Sequence, residues 1–329
     1  MKFGPVPVAE AEGAVLAHSV GVPSGRLRKG RVLSAADVSA LLAGGVLDVI
    51  VARLEPGDVG EDVAAAALAH AVFGTGQGLD VTTAFTGRVN LIAQTAGVAV
   101  LDVAALEAIN AVHPMITIAT VPPHQQMAKG GMVATIKIIS YAVPEADLAR
   151  AVSLAGSGAI TLARPVVKTA LLIITEIPGG AGEKGRDAIE GRLQALGVTL
   201  SDVVLVPHQT DSLAAAIAAS TSDIVLILTG SATSDIDDVA PSALRGAGGQ
   251  VRHFGMPVDP GNLLFLGTLG HRTVIGLPGC ARAPALNGAD WVLSREICGL
   301  SVSSQDIAGM GVGGLLKEIP TRPQPRRGR

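Results

Sequence analysis

The stretch Thr229-Gly230-Ser231-Ala232-Thr233-Ser234, followed closely by Asp235, Asp237 and Asp238, carries the most chemistry in this 329-residue chain. Small residues let a backbone come close to a ligand, and N–H groups beyond a strand end can cradle a phosphate or another anion. Carboxylates beside such an anion make sense when a divalent cation bridges the two, because Mg²⁺ is typically held by one or two carboxylates plus substrate phosphates. The same aspartates can instead cap a helix starting near Pro241 and favour its positive end. The residues alone leave both readings open. A second glycine-rich stretch, Gly180 to Gly185, has the G-x-x-x-x-G spacing of a P-loop, but Arg186-Asp187 stands where that loop needs Lys and Ser or Thr. Neither the phosphate lysine nor the Mg²⁺ hydroxyl is there, so a P-loop is rejected. His208 after Pro207 is either a pocket residue or a lone exposed histidine, and none of the seven histidines pairs with another at metal-ligand spacing. Two cysteines, Cys280 and Cys298, are too few for a disulfide framework or a zinc site. Cys280, beside a turn, reads as an inert buried thiol.

These residues need strands to carry them, and the sequence supplies strands from Arg164 onward. Apolar runs at 169–175, 203–206, 224–228 and 273–277 alternate with helical segments at 186–196, 212–220 and from Pro241. That alternation predicts a three-layer, doubly wound, mostly parallel α/β sheet in the C-terminal half. Such sheets bind ligands beyond the carboxyl ends of their strands, which directs attention to the loops 176–185, 229–238 and 278–284. Composition agrees. Apolar residues make up 48% of the chain and aromatics 2%, the Val, Ile, Leu and Ala mixture that lines parallel sheets covered on both faces. Before Arg164 the sequence predicts a smaller mixed α+β region. Residues 1–55 read as a small β-rich entry unit with a helix from Ser34 to Leu42, closed by Gly44-Gly45. Residues 56–163 read as a mixed α+β domain of unknown role, with helices from Glu61 to Val72 and from Pro144. The α/β domain then spans 164–319. Residues 320–329, with Arg322, Arg326, Arg327 and Arg329 among prolines, read as a disordered basic tail.

A net charge of −3, with one Trp and one Tyr, argues against nucleic acid as a partner, since no basic stripe and no stacking platform is present. The first residues, MKFGPVPVAEAEG, lack the apolar core of a signal peptide, and no run of about 18 apolar residues is free of charges and breaks. No membrane span and a cytoplasmic location are therefore expected. The low charge and large apolar fraction leave room for a homo-oligomer.

The segment Leu228 to Ser234, continued by Asp238-Val239-Ala240-Pro241, resembles the signature loop of the molybdopterin-binding domain. That domain is shared by molybdopterin adenylyltransferases, molybdopterin molybdenumtransferases and gephyrin. Gly276-Leu277-Pro278-Gly279 is similar to the family's Leu-Pro-Gly turn. Gly255 to Asn262 resembles the Pro-Gly-containing stretch preceding this strand in the molybdenumtransferase branch. The resemblance covers about residues 164–300 and implies molybdopterin as ligand. It assigns Asp238 to the family's functional aspartate, associated with the pterin phosphate and Mg²⁺. It places Thr229, Gly230, Ser231, Ser234, Asp235, Pro278 and Gly279 around the pterin, and Glu176 near an acidic position of the same pocket. Two family glycines are Ser231 and Thr233 here, each adding a side chain where the backbone should approach the ligand. After Pro278-Gly279 the family continues with Asn or Gln and then Pro, whereas this chain has Cys280-Ala281-Arg282-Ala283-Pro284. Arg282 is either a partner of the pterin phosphate or an ordinary surface residue.

The resemblance implies a molybdopterin-binding protein of molybdenum-cofactor biosynthesis. Its transferase reaction would be ATP-dependent activation of the pterin phosphate or insertion of molybdate, with Asp238 positioning Mg²⁺. Two alternatives stand beside it. One is a non-catalytic carrier that hands pterin or cofactor to a nucleotidyltransferase or a molybdoenzyme. The other is a generic phospho-ligand-binding domain, because fold alone does not fix function. In the N-terminal half, Lys29-Gly30 with Leu33 and its capped helix resembles the small β-rich entry domains attached to such modules in some bacterial proteins. Phe85 to Asn90 and Val133 to Lys137 look similarly family-like, with no mechanism attached.

Overall fold

A computed structural model describes residues 1–75 and 78–317. The expected basic tail at 320–329 lies outside the described residues. The chain divides into two compact units. The first comprises Met1–Gln94, Ala99–Gln125 and Lys129–Leu162; the second comprises Thr95–Val98, Gln126–Ala128 and the chain from Ala163 onward.

In the first unit, Lys2–Pro7 pairs antiparallel with Asp48–Arg53, which also pairs with Val15–Leu16. The intervening helix Ala35–Ala43 begins at Ser34, whose hydroxyl accepts from the Asp37 N–H while the Asp37 carboxylate accepts from the Ser34 N–H. This reciprocal cap satisfies two amides the chain would otherwise leave unpaired at the helix start. Asp37 is 5% exposed and also receives Arg31 Nε at 2.9 Å. The Arg31 guanidinium first, and the Ser34 amide next, hold its carboxyl down to about 2. Leu16, Leu33, Leu41, Val49 and Val51 share the core of this segment. The rest of the unit carries a four-stranded antiparallel sheet in the order Ile116–Thr120, Met132–Ile138, Arg88–Ala93, Leu79–Val81. Helices Glu61–Phe73, Val103–Asn110 and Glu145–Leu154 accompany it. The first of these buries a stripe of Ala64, Ala65, Leu68, Ala69 and Val72, the spacing of one helical face.

The second unit is built on one sheet. Its strands are β1 (Thr169–Glu176), β2 (Thr199–Pro207), β3 (Ile224–Leu228), β4 (Gln250–Phe254), β5 (Phe265–Leu269) and β6 (Arg272–Leu277), in the spatial order β2-β1-β3-β6-β5-β4. Strands β2, β1, β3 and β6 are parallel, and β5 and β4 complete one edge antiparallel. Four helices cover it: α1 (Arg186–Gln194), α2 (Thr210–Ala219), α3 (Val239–Gly246) and α4 (Gly288–Ile297). Ala170, Leu172 and Ile174 of β1 share a core with Ile189 and Leu193 of α1 and with Val292 and Leu293 of α4. Leu171 and Ile173 share another with Leu213 and Ile217 of α2 and with Ala243 and Leu244 of α3. Burial of both faces is why β1 is a continuous apolar run. The result is the three-layer, mostly parallel α/β sheet expected from the sequence. Gln126–Met127 pairs with Gly97–Val98 within the same unit, and Val98 joins the core of the α1 and α4 face. Among the described residues, no helix is long and apolar enough to cross a membrane.

Candidate functional site

Parallel register decides where the chemistry emerges. Ile174 lies opposite Leu228, and Leu228 lies opposite Leu277. The last residues of β1, Thr175-Glu176, and the residues after β3 and β6, Thr229-Gly230 and Pro278-Gly279, therefore lie side by side at the carboxyl edge of the sheet. Two hydrogen-bonded junctions fasten their loops together. At the first, the Gly230 N–H donates to Thr175 Oγ1 at 2.9 Å, and Thr175 Oγ1 meets His208 Nδ1 at 2.8 Å. Thr175 is 1% exposed, so its hydroxyl hydrogen has to be satisfied locally. All three groups are satisfied when the hydroxyl donates to Nδ1 and His208 carries its proton on Nε2. The His208 N–H also donates to the Glu176 carbonyl at 3.0 Å, which draws the ends of β1 and β2 together. Gly230 is required here, because a Cβ would stand 2.7 Å from the Thr175 carbonyl oxygen.

At the second junction, the half-buried guanidinium of Arg282 reaches across the edge. Nη2 donates to the Thr229 carbonyl at 3.0 Å, and Nη1 donates to the carbonyls of Gly182 at 3.2 Å and Lys184 at 2.5 Å. Arg282 thus clamps all three loops by main-chain carbonyls. A Cβ on Gly185, whose φ is +103°, would lie 2.7 Å from Arg282 Cα, so the clamp depends on that glycine. Burial pulls the Arg282 guanidinium below its ordinary value, and its carbonyl partners offset that cost by hydrogen bonding.

The aspartates occupy the loop before α3. Asp238 is the N-cap of that helix: its Oδ1 accepts from the Val239 N–H at 2.7 Å and its Oδ2 from the Ser234 N–H at 3.0 Å. Asp235 Oδ1 accepts from the Asp237 N–H at 2.8 Å, and Asp237 pairs with Arg245 at 2.7 Å. Of the three, only Asp238 caps the helix. Thr233 is 7% exposed, and its hydroxyl lies 3.3 Å from that of Thr229. The Thr233 side chain is therefore tucked inside the loop, while Ser231, Ser234 and Asp235 remain exposed at its tip. Pro278 is buried, Gly279 is exposed and Glu176 is exposed beside the same edge. Cys280 is half-buried, and burial pushes its thiol up. A depression of about 510 Å³ beside the second junction is lined by Glu183, Lys184, Arg186, Asp187 and Glu190 with Gly185, and its lining includes no residue of the 229–238 or 278–284 loop.

The edge thus gathers Thr229, Gly230, Ser231, Pro278, Gly279, Arg282 and Glu176, with Ser234, Asp235 and Asp238 on the continuation of the β3 loop. Sequence reasoning passed over Thr175, whose only local signal is a hydroxyl residue ending the run TALLIIT. It also missed Arg192, which anchors the 281–285 loop. Arg192 Nε donates to Asp290 Oδ1 at 2.5 Å, Nη1 to the Ala281 carbonyl at 2.9 Å and Nη2 to the Ala283 carbonyl at 2.8 Å. On the fit of a cation, no group of three or more His, Cys, Asp or Glu side chains among the described residues could hold a metal ion. Both Asp238 oxygens already accept from main-chain amides.

The second unit is thus an open, mostly parallel α/β sheet with three loops gathered at its carboxyl edge. Residues 169–295 match the family model described as "Probable molybdopterin binding domain". Residues 5–53 match a "Domain of unknown function (DUF8806)". No curated protein matches. Among solved structures, similarity extends to the molybdopterin biosynthesis moea protein from Pyrococcus horikosii, with 14% identity over 84% of this chain and 70% of that one and a TM-score of 0.27. A molybdenum cofactor biosynthesis protein B is 16% identical over 41% of this chain and 95% of its own, with a TM-score of 0.30. A molybdopterin biosynthesis protein from Mycobacterium abscessus is 15% identical over 42% of this chain and 100% of its own, with a TM-score of 0.29.

Proposed function

We propose that the chain is a molybdopterin-binding protein acting in molybdenum-cofactor biosynthesis, with the pterin phosphate seated at the carboxyl edge of the second unit's sheet. The observation that carries this reading is the joining of the three loops by Arg282 and by the Thr175–Gly230 contact, inside the segment that matches the molybdopterin-binding family model. Gly230 spends its N–H on Thr175, so the amide grip on the phosphate falls to the exposed tip beyond it, around Ser231. Arg282 acts as a positioning residue that holds Thr229 in place. Ser234 and Asp235 edge the phosphate side, and Glu176 edges the opposite loop. A magnesium ion on the phosphate would find Asp238 as its carboxylate and would neutralise charge there.

The occupied carboxylate of Asp238 favours the carrier reading over an adenylyl- or molybdenum-transferring enzyme, because a capping carboxylate has fewer lone pairs for a metal. The direct test is titration of the purified protein with molybdopterin, followed by incubation with Mg²⁺ and either ATP or molybdate. Gly230→Ala abolishes pterin binding if the edge is the site. Binding that survives Gly230→Ala refutes the site. Turnover lost in Asp238→Asn, with binding retained, identifies a transferase; binding with no turnover in the parent identifies a carrier.

A further inference from the structure

Three sequence segments without a role, Lys29-Gly30, Phe85 to Asn90 and Val133 to Lys137, converge in the first unit on a cavity of about 310 Å³. Its charged and polar lining includes Lys29, Glu61, Thr86, Arg88, Lys137 and Tyr141. Arg88 and Lys137 sit directly opposite each other in the antiparallel register of neighbouring strands. Like charges at that position destabilise a sheet unless something between them compensates. Only Glu61 answers them within the lining, its Oε2 standing 3.7 Å from Lys137 Nζ. Within the lining three cations face one carboxylate, and Asp62 stands just behind it, its Oδ1 accepting from the Gly87 N–H at 2.6 Å. The turn that closes the cavity is itself held in a costly shape: Thr86, a β-branched residue, has φ +49°, and its carbonyl accepts Lys137 Nζ. The next residue, Gly87, has φ +70° and leaves room that a Cβ would fill, at 2.6 Å from Glu61 Oε2 and 3.0 Å from Lys137 Nζ. Burial raises the Glu61 carboxyl, Lys137 and Lys29 oppose the rise, and the neighbouring Asp62 adds to it. The Tyr141 hydroxyl donates to the Ala17 carbonyl at 2.8 Å, leaving its oxygen able to accept.

The geometry points to a second small-molecule site in the first unit, selective for a hydroxylated phosphate monoester of sugar-phosphate type. Arg88, Lys137 and Lys29 take the phosphate, and Glu61 and Tyr141 accept from its hydroxyls. The cations of the lining outnumber its carboxylate, which suits a phosphate, and the Arg fork suits two of its oxygens. An enclosed acceptor beside those cations has no use for a bare anion, which is why hydroxyls belong to the ligand. The site is independent of the pterin edge.

Isothermal titration of the full chain with ribose 5-phosphate tests it, with inorganic phosphate and ribose as controls. The expected result is saturable binding of ribose 5-phosphate, weaker binding of inorganic phosphate and none of ribose. Arg88→Ala and Lys29→Ala, both at exposed positions, each weaken binding by about tenfold, the loss of one charge-assisted hydrogen bond. Neither unfolds the protein, since both side chains are exposed. Gly230→Ala leaves this binding unchanged. The proposal is overturned if ribose 5-phosphate fails to bind at millimolar concentration or if inorganic phosphate binds as tightly. It is equally overturned if Arg88→Ala leaves affinity intact, or if Gly230→Ala removes the binding and so places it at the pterin edge.

Discussion

Replacing Thr175 by Val keeps the shape of the side chain and removes the oxygen that joins the Gly230 N–H, at 2.9 Å, to His208 Nδ1, at 2.8 Å. Both partners then lose a hydrogen bond at a position that is 1% exposed. The expected cost is about 1–3 kcal/mol, the penalty for unpaired buried polar groups. Urea denaturation of Thr175→Val reads it, and Thr175→Ser, which restores the hydroxyl, recovers most of it. Equal losses in the two variants would mean that packing of the γ-methyl, not the hydrogen bonds, is what matters. Local sequence did not disclose this residue because its importance comes from strand pairing. Thr175 matters only once β1 lies between β2 and β3, which brings together groups 33 and 55 positions away. Arg282 was legible as a candidate, since it follows the Leu-Pro-Gly turn, but its partners are carbonyls of two distant loops that no spacing rule encodes. The aspartates were legible as a choice between capping and metal binding, and only the fold displays which amides they accept.

At the scale of elements, the runs that became β1 and β3 were readable because a strand covered on both faces must be apolar throughout. The β4 and β5 edge was not. Gln250, Arg252 and His253 give β4 a mixed pattern, as an edge strand with a solvated side requires, and Gly267 interrupts β5. Helix α4 also went unread, although Asn287 and Asp290 form a capping box at its start. Asp290 serves a second element through Arg192, whose side chain is 11% exposed and whose donors hold the 281–285 loop on α1. Arg192→Ala leaves a carboxylate and several carbonyls without their donor, so it is expected to destabilise the second unit by about 3 kcal/mol in chemical denaturation. Lysine at the same position should recover only part, because it lacks the planar fork. In the first unit, the cap at Ser34 gives a pH signature. The folded carboxyl of Asp37 titrates near 2, below the 3.9 or so of an unfolded aspartate, so the folded state binds its proton less readily. Its contribution is therefore complete above about pH 4 and disappears as the pH falls through about 2. The melting-temperature gap between the parent and Asp37→Asn, followed from pH 7 to pH 2, should close in that window. A gap independent of pH would show that the charge of Asp37 plays no part.

At the scale of the whole molecule, the chain does not keep its two units strictly sequential. Thr95–Val98 and Gln126–Ala128 belong to the second unit although they lie within the span of the first. Gly97 and Val98 pair with Met127 and Gln126, and Val98, fully buried, packs in the core shared by β1, α1 and α4. A family match that begins at residue 169 therefore omits a piece of that core. The consequence can be measured in the full chain. Val98→Ala removes two methyl groups from a fully buried site, at an expected cost of about 2 kcal/mol. Hydrogen exchange should place that loss in the amides of β1, β3 and β6, some 70 residues or more further along the chain, while the Lys2–Pro7 and Asp48–Arg53 pair keeps its protection. A fragment starting at Ala163 should reproduce the same weakening and be less stable than the second unit within the intact protein. Loss of protection confined to the first unit would instead assign Val98 to the core of its sequence neighbours and remove the reason for treating the second unit as discontinuous.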